Sequence, residues 1–324
     1  MATICSTIPI FLHFQYSFHP QLIIHYPYGL KFFHDINSKD YTFSQYSRTM
    51  SDSTPAFKGI ILLIHGLWMT PLSWEEWIPY FEAKGYKVIA PGWPGIDDRT
   101  PEQIRADPEP MAKFGIDTIV DHYASIISTL PSPPIIIGHS FGGLFTQILL
   151  SRGLGIAGIG IAPAQPAGIF ALPFSVVKAT FPVLKNPFDA HSTVKISESE
   201  FHYCFGNHLT VAESKPLWER YSIPSVAHVL WQGVAGALSE SGPAHVDFKK
   251  ENRAPLLLTA GTKDHVVPQS VVAKEYAAYE KQGKDGHPVV EFKIFEGKTH
   301  GIVNQEGWQQ VADYALDFVD KYVK

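Results

Sequence analysis

From Phe57 onward, short apolar runs alternate with amphipathic segments, and the alternation predicts strand, helix, strand, helix. "GIILLIHG" (59–66) reads as a buried strand, "LSWEEWIPYFEAKG" (72–85) carries helical spacing, and "YKVIAPGWPG" (86–95) opens on a second strand. "GIDTIVDHYASIISTL" (115–130) is again helical, followed by a strand over 135–137, a helix over 141–152 and a strand over 156–162. Strands that are apolar on both faces and joined by helices imply a mostly parallel sheet covered on both sides. The pattern breaks over about 164–253, where aromatics, prolines and histidines follow no fixed period, and this stretch reads as a cap inserted over the sheet. It resumes with "APLLLTAG" (254–261), a helix around 270–282, "VVEFKIF" (289–295), and a last helix. That helix places Val311, Ala312, Ala315, Leu316 and Val319 on one face.

Two stretches fall outside this pattern. Residues 1–50 are rich in aromatics and histidine, are broken by Pro9, Pro20 and Pro27, and follow neither period, so they read as an N-terminal extension of unknown structure before a domain over 51–324. The first lysine is Lys31, and His13 and Pro9 interrupt the only candidate apolar centre, which argues against a secretory signal. The uncharged run over 153–177 is long enough to raise a membrane span, but its five glycines and three prolines favour a strand followed by an apolar loop.

Composition narrows the partners. The 324 residues are 45% hydrophobic, as expected of one large core with an insertion. The 26 Lys and Arg stand against 31 Asp and Glu, for a net charge of -5, and no basic cluster points to nucleic acid or an anionic membrane surface. Cys5 and Cys204 are far apart and form no metal or disulfide pattern, which favours a reducing compartment, and because "KYVK" at the carboxyl end resembles no peroxisomal or retention signal, the cytoplasm is the default location. His202, Cys204 and His208 in "HYCFGNH" have no second cluster at zinc spacing, so no metal and no cofactor is expected.

The chemistry sits at strand ends. Gly138, Ser140 and Gly142 form G-x-S-x-G directly after a β-branched run and directly before a helix. A turn that sharp needs small neighbours, and it projects the Ser140 hydroxyl at the carboxyl edge of the sheet, where open α/β sheets bind ligands. Serine requires a base held by a third group. Asp264 follows the strand of 254–261 within "GTKDHVVP", and His300 follows the strand of 289–295 within "EGKTHG", 36 residues later. The order Ser, Asp, His is the one expected of a hydrolase triad; the rival acids Asp97 and Asp98 precede the serine. His139 and His265 read as bystanders and His65 as a structural residue of its loop. "LLIHGLW" supplies a loop in which Gly66 turns the Leu67 N–H toward the site, and Phe141 offers the second oxyanion donor.

Taken together, "HGLW", "GHSFGG", "GTKDHVVP" and "GKTHG" resemble the α/β-hydrolase fold superfamily over residues 57–324, in its serine-nucleophile branch. "HGLWMTPLSWEEW" with "KGYKVIAPGWPG" is further similar to a microbial group named only generically. Related epoxide hydrolases and haloalkane dehalogenases carry aspartate where this chain has Ser140. The resemblance implies Ser140 as nucleophile, His300 as general acid and base, Asp264 as its orienting partner, and an acyl-enzyme formed from an ester or related acyl substrate. The substrate is expected to be a hydrophobic small molecule, with Trp68, Phe170 and Trp231 as candidate pocket residues among cap aromatics that also include Phe174, Phe181 and Trp218. A lyase, acyltransferase or cyclisation catalyst on the same scaffold is the alternative. A binding protein without catalysis has no need of all three triad residues.

Overall fold

The structure, a computed structural model, describes residues 21–25, 31–35, 57–96, 99–171, 173–185, 191–282 and 288–323. The chain divides into two units, Met1–Ser53 and Thr54–Lys324. Within the first, β1 (Gln21–His25) and β2 (Lys31–Asp35) pair antiparallel, with Gln21 opposite Asp35 and His25 opposite Lys31. These runs of five residues are too short to stand out by period, and the sequence pattern assigned nothing there.

The second unit is built on a six-stranded sheet. Its strands are β3 (Gly59–Ile64), β4 (Tyr86–Ile89), β5 (Ile135–His139), β6 (Ala157–Ile161), β9 (Leu256–Gly261) and β10 (Val290–Phe295), in the spatial order β10-β9-β6-β5-β3-β4. Every pairing is parallel. Residue alternation explains the two cores. In β5, Ile136 belongs to one apolar cluster with α3 (Ile116–Ser128), α4 (Phe141–Ser151) and α9 (Gln269–Gln282). Ile135 and Ile137 belong to the other, with α1 (Trp77–Glu82) and α10 (Gln309–Tyr322). The central strands β3, β5, β6 and β9 are buried on both faces, while the edge strands β4 and β10 are partly exposed. From β4 the chain crosses back over β3 to form β5. The carboxyl ends of β3 and β5 therefore meet at the switch point, where doubly wound sheets place their ligands.

Between β3 and α3 the chain also forms a 3-10 turn at Pro71–Trp74 and α2 (Pro101–Ala106), capped by Thr100 in a capping box with Gln103. The insertion after β6 is a cap of four helices, α5 (Phe174–Leu184), α6 (Glu198–Cys204), α7 (Val211–Tyr221) and α8 (Ala227–Ala237). It also holds a two-stranded antiparallel ribbon of β7 (Thr193–Val194) and β8 (Ser225–Val226). Arg220 and Tyr221 of α7 both bond the Glu75 carboxylate, which ties the cap to the start of α1. Arg105 adds donors to the carbonyls of Glu219 and Ser222, at 3.1 and 2.8 Å.

Below α4 lies a buried polar chain: the Tyr279 hydroxyl donates to Gln147 Oε1 at 2.9 Å, and Gln147 Nε2 donates to Glu275 Oε1. Burial raises the Glu275 carboxyl well above its ordinary range, so it is protonated in the fold and ionises on unfolding. Stability is then lost as pH rises above about 4.5, by about 1.4 kcal/mol per pH unit until the folded protein also gives up the proton. Glu275→Gln keeps the acceptor and removes the linkage. It is expected to be the more stable protein at about pH 8, with the advantage shrinking toward about pH 4.5, as read by urea midpoints.

Candidate active site

The glycines around Ser140 are dictated by contact. A Cβ on Gly138 would lie 2.0 Å from the Gly142 carbonyl oxygen, and one on Gly142 would lie 2.2 Å from that of Ile64. Only bare backbone lets α4 rise at once from β5. Ser140 takes the resulting strain, with φ 56 and ψ -120. Its N–H donates to Ile161 O at 3.0 Å, and its carbonyl accepts from Gly143, Leu144 and Ala164 at 2.9, 3.2 and 2.9 Å. These bonds hold the conformation against the strain.

Parallel pairing of β9 with β10 brings the two following loops together. His300 Nδ1 donates to Asp264 Oδ2 at 2.7 Å, and both side chains are fully buried. The other carboxylate oxygen of Asp264 accepts from the N–H groups of Val266 and Val267 at 2.7 and 2.8 Å. The acid is thus locked by its own loop, and the Nδ1–H tautomer leaves His300 Nε2 as the basic nitrogen. That Nε2 is buried and makes no hydrogen bond, so Ser140 and His300 are not joined directly. The elbow and the histidine loop are joined through His139, which sequence reasoning passed over. Its Nε2 donates to the His300 carbonyl at 2.9 Å, and the two rings lie 4.7 Å apart. Burial holds His139 neutral, well below the ordinary histidine range. No local pattern signals a bond across 161 residues.

The loop after β3 abuts the elbow, since a Cβ on Gly66 would lie 2.9 Å from Ser140 Cβ. Leu67 follows it and is buried, and Phe141 is the first residue of α4, where backbone N–H groups have no intrahelical acceptor. His65 has the structural place the sequence suggested. Its Nδ1 donates to Gly66 O at 2.9 Å, its Nε2 accepts from Trp93 N at 3.3 Å, and its ring stacks on Trp93. Burial lowers its pKa to about 4. The unfolded chain therefore takes up a proton between about pH 6.5 and 4 that the fold refuses. Stability from His65 is intact above about pH 6.5 and falls by on the order of 3 kcal/mol as pH drops toward about 4, and His139 acts in the same direction. His65→Asn should be weaker at about pH 7 but show a shallower decline in urea midpoint with acid.

Ser140 opens on an apolar cavity of about 70 Å3. Its walls are Phe141, Val176 of α5, Leu230 and Val234 of α8, and Val266 and Val267 beyond β9; Gln165 brings a polar side chain. The Thr180 hydroxyl, also on the wall, is spent on Val176 O. Trp68, Phe170 and Trp231 are not on this wall. Phe170 is 55% exposed, as are Phe174 and Phe181 at 81% and 59%. Trp68 is buried with its indole N–H donating to Val194 O in the cap. On α8, Leu230 takes the cavity position that its neighbour Trp231, about 100° around the helix, does not. Trp218 donates to Ile196 O within the cap.

The remaining candidates have other partners. His202 bonds Ser214, His208 bonds Thr299, and His265 bonds Tyr203 O. Burial pushes the Cys204 thiol up to about 12, which leaves it unreactive. Among the described residues no group of three or more His, Cys, Asp or Glu could hold a metal ion, and no helix is long and apolar enough to cross a membrane. Asp97 and Asp98 lie outside the described residues.

The sequence profile of the alpha/beta hydrolase family matches residues 61–314, and the chain belongs to that family. Among curated proteins it is similar to the magnesium-chelatase 30 kDa subunit of Rhodobacter capsulatus, at 30% identity over 145 residues, 40% of this chain and 48% of that protein. The match thus spans about half of that relative's length. Solved structures with the same fold include a monoacylglycerol lipase of Paleococcus ferrophilus (17% identity, 82% of this chain and 96% of that one, TM-score 0.56). A pyrethroid hydrolase of Sphingobium faniae JZ-2 is similar at 19% identity, over 81% and 97% of the two chains, with a TM-score of 0.56. Methylketone synthase I of tomato, solved in complex with beta-ketoheptanoate, is similar at 16% identity, over 83% and 99%, with a TM-score of 0.57.

Proposed function

We propose that this protein is a serine hydrolase of carboxylic esters or related acyl compounds and works through an acyl-enzyme. The observation that carries the reading is the buried Asp264–His300 pair, whose free Nε2 sits in the loop that His139 ties to the strained Ser140 elbow. In the reaction, Ser140 Oγ attacks the substrate carbonyl carbon and its proton passes to His300 Nε2. The carbonyl electron pair moves onto oxygen, where the Leu67 and Phe141 N–H groups receive it. Collapse expels the alcohol, which takes the proton from His300. Water then repeats the sequence, with His300 as base, to release the acid and restore Ser140. Asp264 holds the Nδ1–H tautomer and stabilises the imidazolium. The Ser140 hydroxyl has to turn onto His300 as substrate binds, in keeping with catalytic hydrogen bonds that tighten only in the complex.

The apolar cavity beside Ser140 suits a hydrophobic acyl or alcohol group. A panel of p-nitrophenyl esters of increasing acyl length tests this. Turnover is expected to be highest for short chains, to fall as the chain outgrows the cavity, and to vanish in Ser140→Ala. Turnover that survives in Ser140→Ala would overturn the reading.

A second reading is favoured by one observation, the absence of a bond between Ser140 and His300 Nε2. Here His300 acts alone as a base in a non-hydrolytic reaction, as the synthase name of the tomato neighbour suggests. In that case His300→Ala abolishes turnover of the true substrate and Ser140→Ala spares it.

A further inference from the structure

Trp68 stands immediately after the candidate oxyanion donor Leu67 and has φ 62. A bulky residue in the left-handed region costs about 1–3 kcal/mol and persists only where its surroundings impose it. Among the described residues the other non-glycine positions with positive φ are Ser140 and Ala162, which follow β5 and β6 as Trp68 follows β3. The strain is thus gathered at the edge of the sheet that carries the site.

Trp68 is held on both sides by the cap. Its indole N–H donates to Val194 O at 3.1 Å, and its own carbonyl accepts from Ile223 N at 3.0 Å. Val194 belongs to β7, and Ile223 lies two residues before β8, which pairs with β7 through Val194 and Ser225. Both sides of the cap ribbon therefore grip one residue of the core, which is only 3% exposed. On the other flank of Leu67, Gly66 is pressed against Ser140 and accepts the His65 side chain at its carbonyl. Leu67 is suspended between two fixed points, one set by the nucleophile and one by the cap.

We propose that Trp68 is a positioning residue through which the cap ribbon sets the direction of the Leu67 N–H, so that the oxyanion hole is complete only with the cap seated. This rests on the serine-hydrolase reading. It also accounts for an indole aimed into the cap, where the sequence had suggested a pocket wall.

The test is Trp68→Phe, which keeps a buried ring and removes the indole donor, measured beside Ile223→Pro, which removes the other bond. Glu75→Gln serves as the control, because it weakens the tie of the cap through Arg220 and Tyr221 while leaving both Trp68 bonds in place. With short p-nitrophenyl esters, Trp68→Phe and Ile223→Pro are expected to lower kcat about 10- to 100-fold with KM within about twofold, the scale of a misplaced catalytic group. Affinity for a trifluoromethyl ketone, which forms the tetrahedral adduct on Ser140, should fall by the same factor as kcat/KM. Glu75→Gln should leave both quantities within about twofold of the starting protein. Trp68→Phe or Ile223→Pro that folds and keeps its kcat and analogue affinity would overturn the proposal. So would equal losses in Glu75→Gln, which would mark a general anchoring of the cap. Should one variant fail to fold, the other decides. Starting protein without Ser140-dependent turnover would overturn the parent reading and this proposal together, whereas normal Ser140-dependent turnover with unaffected variants overturns this proposal alone.

Discussion

Ser140→Ala and His300→Ala are each expected to lower ester turnover by about 10⁴-fold or more, and the double variant to lose little beyond either single one, because the proposed nucleophile and base would act as one unit. The structure separates this loss from damage to the fold. Ser140 makes its structural bonds through its N–H and carbonyl, which alanine keeps, and its hydroxyl holds no other part of the described chain. His300→Ala leaves Asp264 with two backbone donors to one oxygen and without a partner on the other. It should therefore lose some stability as well as activity, whereas Ser140→Ala should unfold in urea at the midpoint of the starting protein. Asp264→Asn keeps the loop cap and offers His300 a donor in place of an acceptor, which favours the wrong tautomer. Its loss of turnover is expected to be large but smaller than that of Ser140→Ala. Initial rates on all four variants and urea midpoints on the three single ones check both halves.

Gly138→Ala should cost more than about 3 kcal/mol, at the upper end of what overpacking a core costs, and should abolish turnover at the same time. The added Cβ would meet Gly142 O at 2.0 Å, Gly142 C at 2.2 Å and Thr146 Oγ1 at 2.5 Å. Two of these are backbone atoms of the first turn of α4, so no side-chain rotation relieves the clash. The elbow has to open, which moves Ser140 off the strand end. Gly153→Ala is the natural comparison. It also puts a methyl group on a glycine, at φ 78, but nothing lies within 4 Å of the new atom. Its cost is the conformational strain alone, about 1 kcal/mol, and its turnover should be unchanged. Chemical denaturation of the two variants side by side separates collision from strain.

The parts of this fold that were legible in the sequence are those governed by short-range rules. A strand buried on both faces leaves a continuous apolar run, so the strands of 59–66, 135–137, 156–162 and 254–261 could be placed to within a few residues of β3, β5, β6 and β9. The G-x-S-x-G turn and the loop holding Asp264 followed from their positions after such runs, and the loop holding His300 from its place after the partly exposed edge strand β10. The cap was not legible for two physical reasons. Its helices are 7 to 11 residues long, and two carry proline inside, Pro182 in α5 and Pro216 in α7, which breaks the periodic signal. The readable clues were Ser197 with Glu200 and Thr210 with Glu213, capping boxes that mark the starts of α6 and α7. The cavity wall was out of reach because it is assembled from α5, α8 and the loop after β9. Whether Leu230 or Trp231 faces Ser140 depends on how α8 is rotated, and Phe170, Phe174 and Phe181 face outward although their composition suggests a core. His139 and Trp68 show the same limit at the site itself, since their partners lie 161 and 126 residues away.

The most direct measurement is covalent. The folded protein is treated with a fluorophosphonate, digested, and the adduct located by peptide mass spectrometry. An activated Ser140 predicts stoichiometric phosphonylation on the peptide that contains Ser140, none elsewhere, and none in Ser140→Ala or in unfolded protein. Folded protein that stays unlabelled, or that carries the label on another residue, would contradict the assignment of Ser140 as the nucleophile.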